Sequence, residues 1–512
     1  MTLSIDEVFQ EIGEFHKFQW LMLTIIGYTV FATGTFPVMI VTFITAEPNW
    51  QCVKGYNSSI CNFNESIGLT SKYYKDRCDM PREAWTYVEG FTSTVTEYDL
   101  VCDKSILQSV AQSCYWVGVL LGLLLGGYLS DKFGRRKIFI CGVISVTVAT
   151  WIMIFPKSFV VFIVCRVFIG ISSGIYYTVA FVLLAEFTTA KYRARISIYS
   201  FLFWIAGLLV LALIGYLVPD WRHFLLVTAC FAVPCLFISW LVPESIRWLQ
   251  LHGKDDVAKK QLEKVAHING KEMPSGDLEI FENTAQSGSL KHLFNWKLSK
   301  TLLISWNLWF STALVYYGIS YSSVDIGGNR YLNFALTSIV ELPSYILCMV
   351  TANKFGRKKT VIVALIMAFL ASLISVLIPD DHSNNGYNGA RIFLTFLAKF
   401  FICMSFSGIY IWNLELFPTC IRTMSLSTSS GAGRFGSFAA SYIVWLIRVN
   451  PILPYGIMGI ICLQAAILVM FLPETKGKPT LETLDDMLQD STKKVQSDNS
   501  IDKTDFNADN NE

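Results

Sequence analysis

Four ionisable side chains stand inside long apolar stretches of the chain: Arg166, Glu341, Lys399 and Arg434. A charge at bilayer depth costs several kcal/mol unless it is paired or hydrated, so each is a candidate for function. Arg434 follows Arg422, at a helix end, by twelve residues, about 18 Å along a helix rising 1.5 Å per residue. Glu341 stands about ten residues into its helix, also near the midplane. Arg166 and Lys399 each fall about eight residues from an outer helix end. A guanidinium fork matches a carboxylate, so Arg434 facing a central cavity would bind the anionic group of a substrate. The alternative is a permanent Arg434–Glu341 pair that only fixes helix packing. Such a pair would leave a poor substrate site.

These residues need helices to carry them. Apolar residues make up 53% of the 512 positions and charged residues 16%, against about a quarter charged in soluble domains. Trp20–Ile44, Ser105–Ser130, Ile196–Pro219, Thr301–Val324 and Thr360–Pro379 contain no charge, and each is long enough to span a bilayer. The pattern predicts an all-α polytopic membrane protein with helices over 18–46, 105–130, 138–156, 158–187, 196–219, 223–242, 301–325, 331–352, 360–379, 391–415, 423–447 and 452–472. The N-terminus is acidic (Asp6, Glu7, Glu11, Glu14), where a cleavable signal needs basic residues, so the first helix is expected to be retained.

Basic residues cluster beside alternate helix ends: Lys132, Arg135, Arg136 and Lys137; Lys191, Arg193 and Arg195; Lys354, Arg357, Lys358 and Lys359. The positive-inside rule makes these loops cytoplasmic, which puts both termini inside and loop 47–104 outside. That loop holds Cys52, Cys61, Cys78 and Cys102, an even number suited to disulfides of undetermined connectivity. It also holds two glycosylation sequons, at Asn57 and Asn64. The other nine cysteines lie in or beside helices and are expected to pack. No Cys/His spacing forms a zinc site.

The formal charge of +2 says nothing about nucleic acid, and the basic residues are spread through short loops rather than gathered on one face, so no nucleic-acid partner is expected. No GxxxxGK[ST] loop, HExxH or nucleophile elbow occurs, so ATP-driven pumping and hydrolysis are unsupported, and neither metal nor cofactor is implied.

The chain repeats itself. Asp131-Lys-Phe-Gly134-Arg135-Arg136-Lys137 returns as Asn353-Lys-Phe-Gly356-Arg357-Lys358-Lys359, an offset of 222. Glu186 with Arg193 returns as Glu415 with Arg422, an offset of 229, and Pro243-Glu244-Ser245 returns as Pro473-Glu474-Thr475, an offset of 230. Six helices are therefore duplicated in parallel: a first bundle over 1–242, a central cytoplasmic segment over 243–300, a second bundle over 301–472 and a polar tail over 473–512 expected to be disordered. Two such halves can rock about a shared central site. The repeated carboxylates and cations at the inner ends are expected to form ion pairs that hold those ends together, with Arg247 alongside Glu244.

These motifs carry a family resemblance across nearly the whole chain. GGYLSDKFGRRK at 126–137, with Arg166 and Gly170, resembles the major facilitator superfamily. The cysteine loop, Val101-Cys102, PESIRWL at 243–249, ELFPTCIR at 415–422 and LPETKG at 472–477 resemble solute carrier family 22, its organic ion transporters. Asn353 departs from the family's acidic residue in the second-half loop motif, which implies a weaker inner lock there. Ile246 departs from its usual Pro. The resemblance implies that Arg434 occupies a position that is acidic in the cation carriers and Arg in the anion and carnitine-type carriers. It also implies that the place one turn beyond Glu341, Lys in the anion carriers, is Tyr345 here, a pattern most similar to the carnitine and zwitterion branch.

From the same resemblance, the cavity-lining helices bring Tyr176, Tyr177, Tyr316, Tyr317, Tyr410 and Trp412 as candidate substrate contacts. Their faces attract quaternary ammonium by about 0.5–2 kcal/mol each. Tyr177 and Tyr410 match aromatic positions of the carnitine-type carriers. Glu415 is a candidate carboxylate for a coupling ion, sodium or proton. The implied activity is transport of small organic ions across the plasma membrane, zwitterions first, anions second and cations third; a receptor on the same fold is the rival reading. The bilayer and the substrate are the implied partners, and the oligomeric state is left open.

Overall fold

The computed structural model describes residues 2–3, 5–54, 61, 65–69, 71, 73–88, 90–274, 277–278, 296–326, 328–378 and 385–477. Asn57, Asn64, most of 275–295 and the tail beyond Gly477 lie outside the described residues, as does the Arg193 side chain.

Two sets of six helices follow one another. The first contains α1 (Lys17–Ile44), α2 (Ile106–Phe133), α3 (Arg135–Ile152), α4 (Phe159–Glu186), α5 (Ala190–Leu217) and α6 (Trp221–Ile238). The second contains α7 (Trp296–Ser322), α8 (Arg330–Phe355), α9 (Arg357–Leu377), α10 (Asn385–Leu416), α11 (Thr419–Trp445) and α12 (Leu453–Val469). Among the described residues, nine of the segments are by themselves long and apolar enough to cross a membrane. The other three belong with them by packing: α3 begins with three basic residues, α11 carries a Ser/Thr/Gly-rich face and α12 has 17 residues. Between the halves, the short helix Asp255–Asn269 packs on Ile246–Leu251 and on the N-terminal helix Ile5–Ile12, whose Val8, Phe9 and Ile12 are buried.

Lipid offers apolar side chains no reason to leave it, so these helices associate through close backbone approach. Gly118, Gly122 and Gly126 repeat every four residues along α2 and meet Gly170, Ile171, Gly174 and Ile175 of α4. A Cβ at Gly118 would lie 2.2 Å from the Val167 carbonyl, and one at Gly170 2.2 Å from the Tyr115 carbonyl. In the second half, Gly436 of α11 lies as closely against Phe310 of α7.

Two helices are interrupted near the centre. α1 widens into a π-helical turn over Val30–Thr35 just before Pro37. α8 breaks at Val340, because Pro343 has no N–H to offer the Ile339 carbonyl one turn back, and Glu341 stands at the break.

The side bearing residues 47–104 is called outer here. Its segment is tied together by an antiparallel pair of strands, Trp50–Cys52 and Trp85–Tyr87, around buried Trp50 and Trp85. The disulfides join Cys52 to Cys61 and Cys78 to Cys102.

The halves meet through α2 against α11 and α5 against the first part of α8. The outer ends are zipped: Trp445 donates to Ser105 at 3.2 Å, Ser109 donates to the Ser441 carbonyl at 2.9 Å, and Ser113 bonds Tyr442 at 3.0 Å. Nearer the centre, Trp116 of α2 donates to Tyr321 of α7 at 3.0 Å.

Candidate substrate site and its gates

Arg434 stands on α11 between the halves. Its guanidinium lies 5.4 Å from the Trp116 ring of α2. The hydroxyls of Tyr317, Tyr410, Tyr177 and Tyr115, on α7, α10, α4 and α2, lie within electrostatic reach of it. Both halves therefore contribute. Among the described residues no carboxylate pairs with Arg434, and its Nε has no hydrogen-bond partner. The residue retains intermediate exposure, as do Tyr177 and Tyr410. Aromatic residues from four helices of both halves thus surround a cation that keeps some exposure.

Packing holds this aromatic wall in place. Trp116 meets Tyr317 edge-on at 4.6 Å, and Trp309 meets Tyr410 at 4.5 Å. Tyr316 and Tyr317 are nearly perpendicular neighbours at 5.0 Å, and the Tyr316 hydroxyl turns to Glu341. Tyr176 and Trp412 are fully buried. Tyr176 sits under the π-helical turn of α1, its hydroxyl 2.9 Å from where a Cβ on Gly34 would be. These two aromatics are bundle packing, not cavity wall, in this conformation.

The Arg434–Glu341 pair does not form. Glu341 pairs instead with Lys399 of α10, 3.0 Å away, and both are essentially without exposure. Tyr316 donates to Glu341 at 2.8 Å and Tyr345 at 3.1 Å. Lys399 reaches this depth because α10 begins at Asn385, six residues earlier than the hydropathy run implied. Lys399 thus lies 14 residues in, about 21 Å along the axis rather than about 12. Glu341 is accordingly occupied, not offered to the cavity. Arg166 bonds the Pro37 carbonyl at 2.7 Å and the Ala111 carbonyl at 3.3 Å, which ties α4 to α1 and α2.

At the inner ends the repeated motifs form two clamps of the same design. Gly134 takes φ +103°, which aims the Arg135 and Arg136 N–H groups at Glu244, at 2.9 and 3.0 Å. Gly356 takes φ +100°, and the Arg357 and Lys358 N–H groups reach Glu474 at 2.9 and 3.1 Å. Burial alone would raise the Glu474 carboxyl, but the N–H groups of Lys476, Arg357, Thr475 and Lys358 outweigh it and hold the group below its ordinary value. The first clamp adds Arg135 to Glu186, with Asp131 3.8 Å from Arg135. The second adds Arg357 to Glu415 at 2.9 Å.

Two expectations change here. Glu415 pairs with Arg357 and accepts from Thr475 at 2.6 Å, while Arg422 donates to the Phe417 carbonyl. Its match with Arg422 in sequence reflects duplication rather than a bond. Also, each clamp lies within one half, so these ion pairs stiffen the bundles and do not join the inner ends to one another. Arg247 pairs with Asp6 of the N-terminal helix at 3.2 Å. With the outer ends zipped and the inner clamps separate, the conformation is closed outside.

Sequence reasoning missed Trp116 on α2 and Phe201 and Trp204 on α5, which meet the second-half aromatics directly. Aromatic residues are common in membrane helices, so no spacing signal separated these from the rest.

Two duplicated six-helix halves that meet around a partly exposed cation are the architecture of a secondary carrier of small solutes, not of an enzyme. The family model described as "Sugar (and other) transporter" matches residues 20–488. "Solute carrier family 22 member 15-like" of Xenopus tropicalis is 30% identical over 95% of this chain and 96% of its own. "Organic cation/carnitine transporter 2" of Homo sapiens is 29% identical over 94% of each. The chain belongs to the major facilitator superfamily and within it to solute carrier family 22. Among solved structures, the partially occluded inward-open form of the E. coli xylose transporter XylE superposes with a TM-score of 0.63 at 18% identity, over 90% of this chain and 99% of that one. It carries the same fold.

Proposed function

We propose that this carrier moves small organic ions bearing a carboxylate, carnitine-like zwitterions or organic anions, across the plasma membrane by alternating access, with both termini in the cytoplasm. The observation that supports it is the Arg434 guanidinium: central, partly exposed, contributed to by both halves and without an acid partner among the described residues. A carboxylate completes it with a charge-assisted fork. The faces of Tyr177 and Tyr410 receive the rest of the substrate, including the quaternary ammonium of a zwitterion. A lone cation gains nothing from Arg434, and Glu341 is already taken by Lys399. A relative named for both organic cations and carnitine covers this range, whereas one named for organic cations alone favours the alternative, a cation carrier.

The rocking halves would expose Arg434 to each side in turn, with the inner clamps acting as rigid handles rather than latches. The test is uptake of labelled carnitine, a monocarboxylate anion and tetraethylammonium in cells expressing the chain. Arg434→Gln is expected to lower carboxylate uptake at least about tenfold with surface expression intact, and unchanged uptake rejects the site. In the same cells, an N-glycan on Asn57 or Asn64 reachable only from outside checks the orientation.

A further inference from the structure

The Lys399 ammonium lies 3.0 Å from the Glu341 carboxylate, 2.7 Å from the Ser320 hydroxyl and 3.3 Å from the centre of the Tyr316 ring. A carboxylate, a hydroxyl and an aromatic face around one ammonium are the parts of a cation-recognition site. The carboxylate is oriented for that task by Tyr316 and Tyr345 on its two oxygens. A salt bridge that only fastened helices would need none of the ring geometry and could sit anywhere inside one bundle. This cage instead borders the opposite half: Trp204 of α5 donates to the Tyr316 hydroxyl at 3.1 Å, and Phe201 packs on Tyr345 at 4.8 Å. Substrate sites of such carriers lie at that interface.

We infer that Lys399 is a built-in cation filling a cation subsite, and that by filling it Lys399 sets the carrier's charge preference. Building on the reading of Arg434 as the carboxylate anchor, the centre holds two positive side chains, Arg434 and Lys399, and one negative, Glu341. The remaining unit of positive charge favours an incoming carboxylate and opposes a monocation by Coulomb repulsion in a poorly screened site. Without Lys399 the balance falls to zero and Glu341 is left with an ammonium-shaped vacancy over Tyr316. Such a vacancy takes small primary or quaternary ammonium ions.

Truncating Lys399 to Ala removes three methylenes and an ammonium, the outline of n-propylammonium, which makes chemical complementation the direct test. In the full-length, detergent-solubilised chain, n-propylammonium is expected to raise the Tm of Lys399→Ala and leave the parent unmoved. In cells at matched surface expression, Lys399→Ala is expected to take up labelled tetramethylammonium about tenfold above the parent. Both gains are expected to vanish in Lys399→Ala with Glu341→Gln, which a merely structural role would not require. Lys399→Gln, nearer the lysine in volume, goes through the same two readouts so that misfolding of the Ala variant decides nothing. Equal responses in parent and variant, gains that survive Glu341→Gln, or no gain in either variant overturn the inference. The carboxylate reading stands apart from it, since that reading is judged on Arg434→Gln with Lys399 in place.

Discussion

The Arg448 guanidinium at the outer end of α11 lies 3.4 Å from the Glu47 carboxylate just beyond α1, an ion pair that crosses from one half to the other. Glu47 is nearly inaccessible and is held from its own half by Arg77 and by Tyr74, whose hydroxyl lies 2.9 Å from both carboxylate oxygens. Arg448 also donates to Gln108 at the start of α2. The outer segment therefore prepares an anionic socket in the first half, and the second half inserts a cation. The Cys78–Cys102 disulfide ties the turn that carries Arg77 to the residues leading into α2.

Breaking one partner of a buried pair costs about 3–5 kcal/mol, and here the loss falls on the outer-closed state. Arg448→Met is expected to shift the population toward outer opening. A cysteine introduced by Ser441→Cys, in the zipped stretch, would then react with a membrane-impermeant thiol reagent from outside at least about tenfold faster than with Arg448 intact. An unchanged rate would remove Glu47–Arg448 from the gate.

The pH response of this lock follows from the state of Glu47. Burial by itself would raise its carboxyl, but Arg448 and then Arg77 outweigh that and hold it below the ordinary carboxylate range. A carboxylate lowered in this way contributes its full stabilisation above its ordinary value and loses it only as pH falls through the depressed value. Outer closure is expected to hold from neutral into mildly acidic medium and to fail only below the ordinary carboxylate range. Thiol reactivity of the Ser441→Cys chain, normalised to a surface cysteine, reads this directly. A rise already near neutral pH would contradict it.

At the inner side the partners of Glu415 can be tested pairwise. Its bond to Arg357 at 2.9 Å, with both side chains under a third exposed, is expected to give a coupling energy of about 1 kcal/mol in a double-mutant cycle. Arg422, which turns to the Phe417 carbonyl, is expected to give a coupling with Glu415 near zero. Denaturation of the solubilised Arg357→Met, Arg422→Met and Glu415→Gln single and double variants measures both. A larger Arg422 term would restore the pairing suggested by sequence.

The clamps also depend on glycine. Gly356 adopts φ +100°, and a Cβ there would stand 2.4 Å from the Glu474 carboxylate it must approach. Gly356→Ala is expected to cost about 1–3 kcal/mol, lowering Tm and surface level together. Gly127→Ala, on α2 with no atom within 4 Å of the new Cβ, serves as the control expected to leave both unchanged.

Hydropathy, charge asymmetry and duplication depend on short stretches of chain, and short stretches made them legible. The two halves, the twelve helices and the outer cysteine loop could all be read before any contact was known, because lipid imposes one rule on every segment that crosses it. Arg434, Tyr177 and Tyr410 were legible as candidates for the same reason: a charge in an apolar run marks itself, and a family pattern placed the rings.

Partnership was another matter. That Glu341 belongs to Lys399 rather than Arg434, that Glu415 belongs to Arg357 rather than Arg422, and that Tyr176 and Trp412 are fully buried depend on helix rotation and on where α10 begins. Those are settled by packing between residues tens to hundreds of positions apart, such as Glu341 with Tyr316 or Trp116 with Tyr321. A single sequence records which charges must be compensated; only the assembled bundles decide by what.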